Sequence, residues 1–175
     1  IKAMRVTLFA YKLKGKTKNF EIRTPIKIAV VPKKSLKESC AVAKSTCDSI
    51  FLEKLLLESA SFYDSSESFY HGLMFALCVI ASRNYDVTSN RESGYGRYDI
   101  MMMPKNKSLP GIIIEIKTSK KCSLERLKIL AKTALKQIDE EKYDTEMLQN
   151  NIRTIYKFGI AFSGKHVAIE KAITV

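Results

Sequence analysis

The period of the apolar positions changes several times along the chain. Residues 6–13 (VTLFAYKL) and 19–31 (NFEIRTPIKIAVV) carry strand-type runs around KGKTK, a Gly-containing turn, and predict a β-hairpin. Pro25 removes a ladder donor, so the second run is an edge strand or an interrupted one. Over residues 36–62 apolar side chains such as Ile50, Leu52, Leu55 and Leu56 recur at helical spacing. A second helix is expected over 66–82, with Ser65 or Ser66 as its N-cap. Three strand-like runs follow, near 84–91, 97–103 and 111–117. A helix is then predicted over 123–142, with Leu124, Leu127, Leu130, Ala131, Ala134, Leu135 and Ile138 on one stripe. Two final strands, 153–162 and 166–170, flank the turn SGK. After the hairpin the order is α-α-β-β-β-α-β-β. Such an order predicts a mixed sheet with helices against it, an α/β or α+β domain.

Composition narrows this picture only a little. A chain of 175 residues with 46% hydrophobic and 27% charged side chains has enough apolar mass for one domain with a real core. The longest apolar run, GLMFALCVIA (72–81), is too short to cross a bilayer, so no membrane partner is expected. No signal-peptide pattern is visible, and the chain opens on Ile1, as a piece of a longer protein would. Cys40, Cys47, Cys78 and Cys122 form neither a Cys-x-x-Cys pair nor a zinc-type cluster with histidine. They read as reduced thiols, and the expected compartment is cytoplasmic.

Charge divides the chain unevenly. Residues 1–37 hold 11 Lys/Arg against the single acid Glu21, while the other 138 residues hold 19 basic and 17 acidic side chains. The domain reading is therefore a basic N-terminal arm over 1–37, followed by a main domain over 38–175. A basic arm attracts polyanions, nucleic acid first. A solvated surface hairpin with incidental lysines is the plainer alternative.

The stretch GRYDIMMMPKNKSLPGIIIEIKTSKK (96–121) places Asp99, Glu115 and Lys117 inside runs of Met and Ile. Buried charge is costly unless it is paired, hydrogen-bonded or bound to metal. If PKNKSLP (104–110) is a loop, Met103 faces Gly111 in an antiparallel pair and position numbers across the pair total 214. Asp99 and Glu115 give the same total, so they are expected to stand opposite each other, with β-carbons about 5 Å apart. Strand alternation adds Lys117 to the same face. Two facing carboxylates repel unless a divalent cation lies between them. Hard oxygen ligands suit Mg²⁺ or Mn²⁺. A carboxylate–lysine ion pair without metal is the alternative from these residues alone.

The arrangement of Asp, hairpin, apolar strand ending Glu-x-Lys, then helix, resembles the active-site layout of the PD-(D/E)XK nuclease superfamily. Five blocks extend the resemblance over roughly residues 64–170: ESFYHGLMFAL (67–77), SNRESGYGRYDIMMMP (89–104), GIIIEIK (111–117), ALKQIDEEKY (134–143) and IYKFGIAFSGKHVAI (155–169). In this order they look like the nuclease-like domain at the C-terminus of bacterial AAA-ATPase-like proteins. FEIRTPIKIAVV weakly resembles, in degraded form, the hairpin that precedes that domain. No Walker A loop lies in the chain, so an ATPase-like module would be upstream or absent. The resemblance implies a restriction-endonuclease-like core with a mixed central sheet flanked by helices, preceded by an N-terminal hairpin and helix.

It also implies roles. Asp99 and Glu115 match the metal-binding carboxylates, and Glu67 matches a helical acid that completes the metal shell. Lys117 matches the lysine that orients the attacking water or steadies charge on the phosphate. Gln137 matches a Gln on the helix after the Glu-x-Lys strand. Tyr143 lies six residues further, where a spacing of four is usual. Each has a plainer reading: Glu67 favours a helix N-terminus, His71 is a structural histidine on the Glu67 face, and Gln137 bonds a neighbouring strand. Arg91 and Arg97 flank ESGYG, a loop suited to close approach by a phosphate, although Arg91 could equally pair with Glu92. Lys120, Lys121, Arg126 and Lys128 follow the active strand and suit a nucleic-acid backbone or simply solvent. The implied activity is Mg²⁺- or Mn²⁺-dependent phosphodiester hydrolysis in nucleic acid, DNA before RNA. A catalytically silent nuclease-fold module that binds nucleic acid or protein is the alternative.

Overall fold

The structure, a computed structural model, describes residues 47–59 and 66–175. The expected strands at 6–13 and 19–31, the basic arm and the start of the first helix lie outside these residues.

Helix α1 (Ser49–Ser59) and helix α2 (Glu67–Val79) come first. Ser66 caps α2, its side chain accepting from the Phe69 N–H. Three strands follow, β1 (Tyr85–Ser93), β2 (Gly96–Pro104) and β3 (Gly111–Thr118). Helix α3 (Leu124–Glu140), the short helix α4 (Thr145–Gln149), β4 (Ile155–Ser163) and β5 (His166–Thr174) complete the order. The sheet runs β1-β2-β3-β4-β5. Neighbours are antiparallel except β3 and β4, which are parallel and joined through α3 and α4. This is the mixed, helix-flanked α+β sheet expected of a restriction-endonuclease-like core.

Alternation along β3 sorts the core into two faces. Ile112, Ile114 and Ile116 pack with Leu52 and Leu56 of α1 and with Tyr70, Met74 and Cys78 of α2. Ile113 packs on the other face with Ile138 of α3, Tyr143 and Met147 of α4. Apolar side chains on both faces explain why β3 reads as a continuous apolar run. The Tyr70 ring stacks on Phe162 at 4.5 Å, and its hydroxyl donates to Gly164 O at 2.6 Å, tying α2 to the β4–β5 turn. On the opposite face α3 approaches β4 at Gly159, where an added Cβ would come within 2.1 Å of Ala131 O.

The α3 stripe buries Leu127, Ala131, Ala134 and Ile138. Leu124, at the first turn, is exposed instead. On α1, Leu52 and Leu56 are buried whereas Ile50 is exposed. No described helix is long and apolar enough to cross a membrane.

Candidate active site

Strands β2 and β3 follow the expected register for three pairs, Ile100–Ile114, Met101–Ile113 and Met102–Ile112. The ladder ends before Asp99 and Glu115. Continued pairing would turn the Ile116 N–H toward a β2 carbonyl. It donates instead to Asp99 Oδ2 at 2.7 Å, so a side-chain carboxylate replaces a ladder acceptor and the strands part.

The alternation of β2 breaks at the same residue. Ile100 and Met102 belong to the α2 face, yet Tyr98 packs with Met101 and Ile113 on the α3 face. Across the β1–β2 ladder, Asn90 adopts φ 54° at the same level. The simple expectation of two carboxylates facing each other on one pleat is therefore corrected. Asp99 opens into a cleft under α2 that is lined by Glu67, Ser68, His71, Asn90 and Ile116. Glu115 follows Ile113 to the α3 side. The two carboxylates interact across the gap where the strands part.

Their electrostatics reflect this. Glu115 is 3% exposed. Its Oε1 accepts from Lys117 Nζ at 3.0 Å, while Oε2 is buried without a hydrogen-bond partner. Burial, and then the charge of Asp99, push the Glu115 pKa to about 7, against the hydrogen bond and charge of Lys117 and a smaller effect of the Asp99 backbone N–H. The Asp99 carboxyl is also raised by burial, opposed by the Ile116 N–H and by His71 and Lys117. Lys117, itself partly exposed, offsets one carboxylate of the two.

Glu67 stands exposed in the first turn of α2, one turn from His71. His71 Nε2 lies 3.2 Å from Asp99 O. A carbonyl only accepts, so an Nε2–H tautomer donates to it; the Asn90 amide, 3.3 Å from the same nitrogen, is itself a donor and bonds His71 only in the other tautomer. Among the described residues no three His, Cys, Asp or Glu side chains form a metal-binding cluster. The expected trio of Glu67, Asp99 and Glu115 is thus not drawn together, because Glu67 faces the cleft from its exposed rim. The pair Asp99 and Glu115 still suits a hard divalent cation. It offers carboxylate oxygens alone, and one of them is buried without a partner.

Gln137 and Tyr143 meet despite their spacing of six. Helix α3 ends at Glu140, Lys142 takes φ 50°, and the chain swings Tyr143 back so that Gln137 Nε2 donates to its hydroxyl at 3.0 Å. Burial raises the Tyr143 pKa, and the charge of Glu115 also acts in that direction. Arg91, Arg97, Lys120 and Lys121 are all exposed. The glycine loop between Arg91 and Arg97 is closely approached, but by the protein itself: a Cβ on Gly94 would stand 2.2 Å from Glu141 O.

Sequence reasoning passed over Lys157. It lies on β4 beside Ile113, 5% exposed, and donates to Asp139 Oδ1 and Asp144 Oδ2 at 2.7 Å each. A lysine inside the apolar run IYKFGIAF carried the same signal that singled out Glu115.

Compared with known families, residues 65–172 match the model of the PD-(D/E)XK nuclease superfamily. A comparison with curated proteins finds no match.

Proposed function

The chain belongs to the PD-(D/E)XK nuclease superfamily, and on that premise we propose that it is a Mg²⁺- or Mn²⁺-dependent nuclease that hydrolyses phosphodiester bonds, in DNA before RNA. The observation that carries this reading is Glu115. A buried carboxylate with one unpartnered oxygen and a pKa near 7, beside a second carboxylate, is a poor way to stabilise a fold. It is a good way to hold a cation.

Asp99 and Glu115 would hold the metal, with Glu67 reaching it from the cleft rim. When bound, the ion supplies Lewis-acid polarisation of the phosphate and a water of lowered pKa. The protein's own residues do the rest. The Ile116 N–H fixes the Asp99 carboxylate, and His71 fixes the Asp99 carbonyl, so the strand break keeps its shape. Lys117, held by Glu115, presents a cation to charge developing on the phosphate or orients the attacking water. Gln137 and Tyr143 bound the α3 side. Arg91, Arg97, Lys120 and Lys121 are solvent-facing cations available to the phosphate backbone.

The basic arm over 1–37 adds affinity, and an ATPase-like module is either upstream or absent. The alternative, a silent nuclease-fold binding module, draws on one observation, the absence of a closed three-ligand cluster among the described residues.

Labelled linear and circular DNA and RNA, incubated with Mg²⁺, Mn²⁺ or chelator, test the proposal. Metal-dependent cleavage by the wild type and none by Glu115→Ala or Asp99→Ala is expected, with circular dichroism showing an intact fold. Full activity in either variant would contradict the assignment.

A further inference from the structure

Tyr95, at the tip of the β1–β2 hairpin, is 75% exposed. The ring is exposed but not loose. The Tyr95 N–H donates to Glu141 O at 2.8 Å, and Ser93 Oγ donates to Tyr143 O at 2.8 Å. Gly94, at φ 65°, lets the tip sit tightly against the Glu141–Lys142 backbone. Lys142 Nζ lies 5.0 Å from the ring centroid and donates to the hydroxyl at 3.4 Å. A shallow cleft beside the ring is lined by Glu92, Gly94, Gly96 and Arg97.

Charge around the tip favours an anion. Arg91 and Arg97 are exposed and form no ion pair among the described residues, and Lys142 adds a third cation. Two carboxylates oppose them: Glu92, across the ladder from Arg97, and Glu141, whose Oε2 lies near Gly96. The tip remains positive. It is also continuous with the site already described, because Ser93 and Tyr143 are bonded and Tyr143 holds Gln137. Four residue steps lead from Tyr95 to Asp99, at most about 13 Å, or roughly four stacked nucleotides.

We propose that Tyr95 is a stacking platform for an unpaired nucleobase, so that the protein engages single-stranded or frayed nucleic acid at this tip. The inference rests on the nuclease reading and deepens it by naming the substrate class. A rigid aromatic face flanked by cations binds bases whatever their identity, since every base has a π-face. A closed duplex has its bases paired and stacked on one another and presents none to Tyr95.

The chain contains no tryptophan, so Tyr95→Trp in the full chain places a single reporter at the tip. With chelator present to prevent cleavage, oligothymidine should quench that emission, and an abasic strand of equal length should not. Tyr95→Ala should weaken oligothymidine binding by tenfold or more while changing duplex binding little, and Tyr95→Phe should retain the affinity. Emission unmoved by a strand that anisotropy shows to be bound overturns the platform, as does an equal loss of affinity for the abasic strand. Metal-dependent cleavage is measured alongside on the wild type. Normal cleavage with an unmoved reporter defeats the platform alone, whereas no cleavage and no strand binding defeats both.

Discussion

Lys157 and Lys117 stand on neighbouring parallel strands, and alternation places both on the α3 side of the sheet. Each is accompanied by two carboxylates. Lys157 donates to both of its partners at 2.7 Å, drawing the end of α3, the start of α4 and β4 together. Burial alone would lower its pKa, but the hydrogen bonds and charges of Asp139 and Asp144 outweigh burial and raise it. Lys117 reaches one oxygen of one partner. The second Glu115 oxygen is unpartnered, Asp99 spends its carboxylate on a backbone N–H, and both acids are raised by burial. The same residue types therefore give a satisfied cluster that fastens elements together and an unsatisfied one, which the proposed function assigns to a cation. Buried charge marks function only where it is left incomplete.

The largest test of this contrast removes the satisfied lysine. Lys157→Met leaves Asp144 half of a broken buried pair and should cost about 3 kcal/mol of stability or more. Most of that comes from Asp144, because the Asp139 side chain is 58% exposed. Urea unfolding measures the loss. Metal-dependent cleavage below the melting temperature should persist.

Acidity gives a test of similar size. Glu115 in the fold has a pKa of about 7 against an ordinary 4.5. A carboxyl whose folded pKa is raised binds its proton more tightly in the folded state. Its contribution to stability is therefore fullest below about pH 4.5 and is lost as pH rises toward 7. In chelator that loss is about 3 kcal/mol, and Asp99 adds to it in the same direction. Glu115→Gln should flatten the profile. Lys157, with its pKa raised, holds its contribution across this window and loses it only in strong alkali, so Lys157→Met should lower the profile at neutral pH.

Lys117→Ala should reduce single-turnover cleavage by roughly a hundredfold, about 2.7 kcal/mol, while leaving substrate affinity close to normal. Unchanged cleavage would reduce Lys117 to a structural counter-ion.

Much of the fold was readable because its patterns were regular. The β2–β3 register followed from a loop bounded by two prolines and a single arithmetic constraint, and the α3 stripe from its period. Leu124 departed from that stripe because the first turn of α3 extends beyond the surface it covers. Helix α4 has five residues, too few to show a period in the sequence. The site was legible as residue types but not as geometry. Nothing local announces that Asp99 will cap a backbone N–H and end the ladder, or that a left-handed Lys142 will return Tyr143 to Gln137. Lys157 was passed over because its partners lie 18 and 13 residues away in sequence, visible only after α3 and α4 have folded back.

The most direct test of the unsatisfied cluster is the shift in melting temperature when Mg²⁺ is added at about pH 8, where both carboxylates are ionised. The wild type should melt higher with Mg²⁺ than with chelator, since the ion binds only the folded site. Glu115→Gln should melt above the wild type in chelator, having lost a buried charge, and should not respond to Mg²⁺. A wild type that Mg²⁺ leaves unmoved, or a variant that it stabilises equally, would contradict a cation site at Asp99 and Glu115.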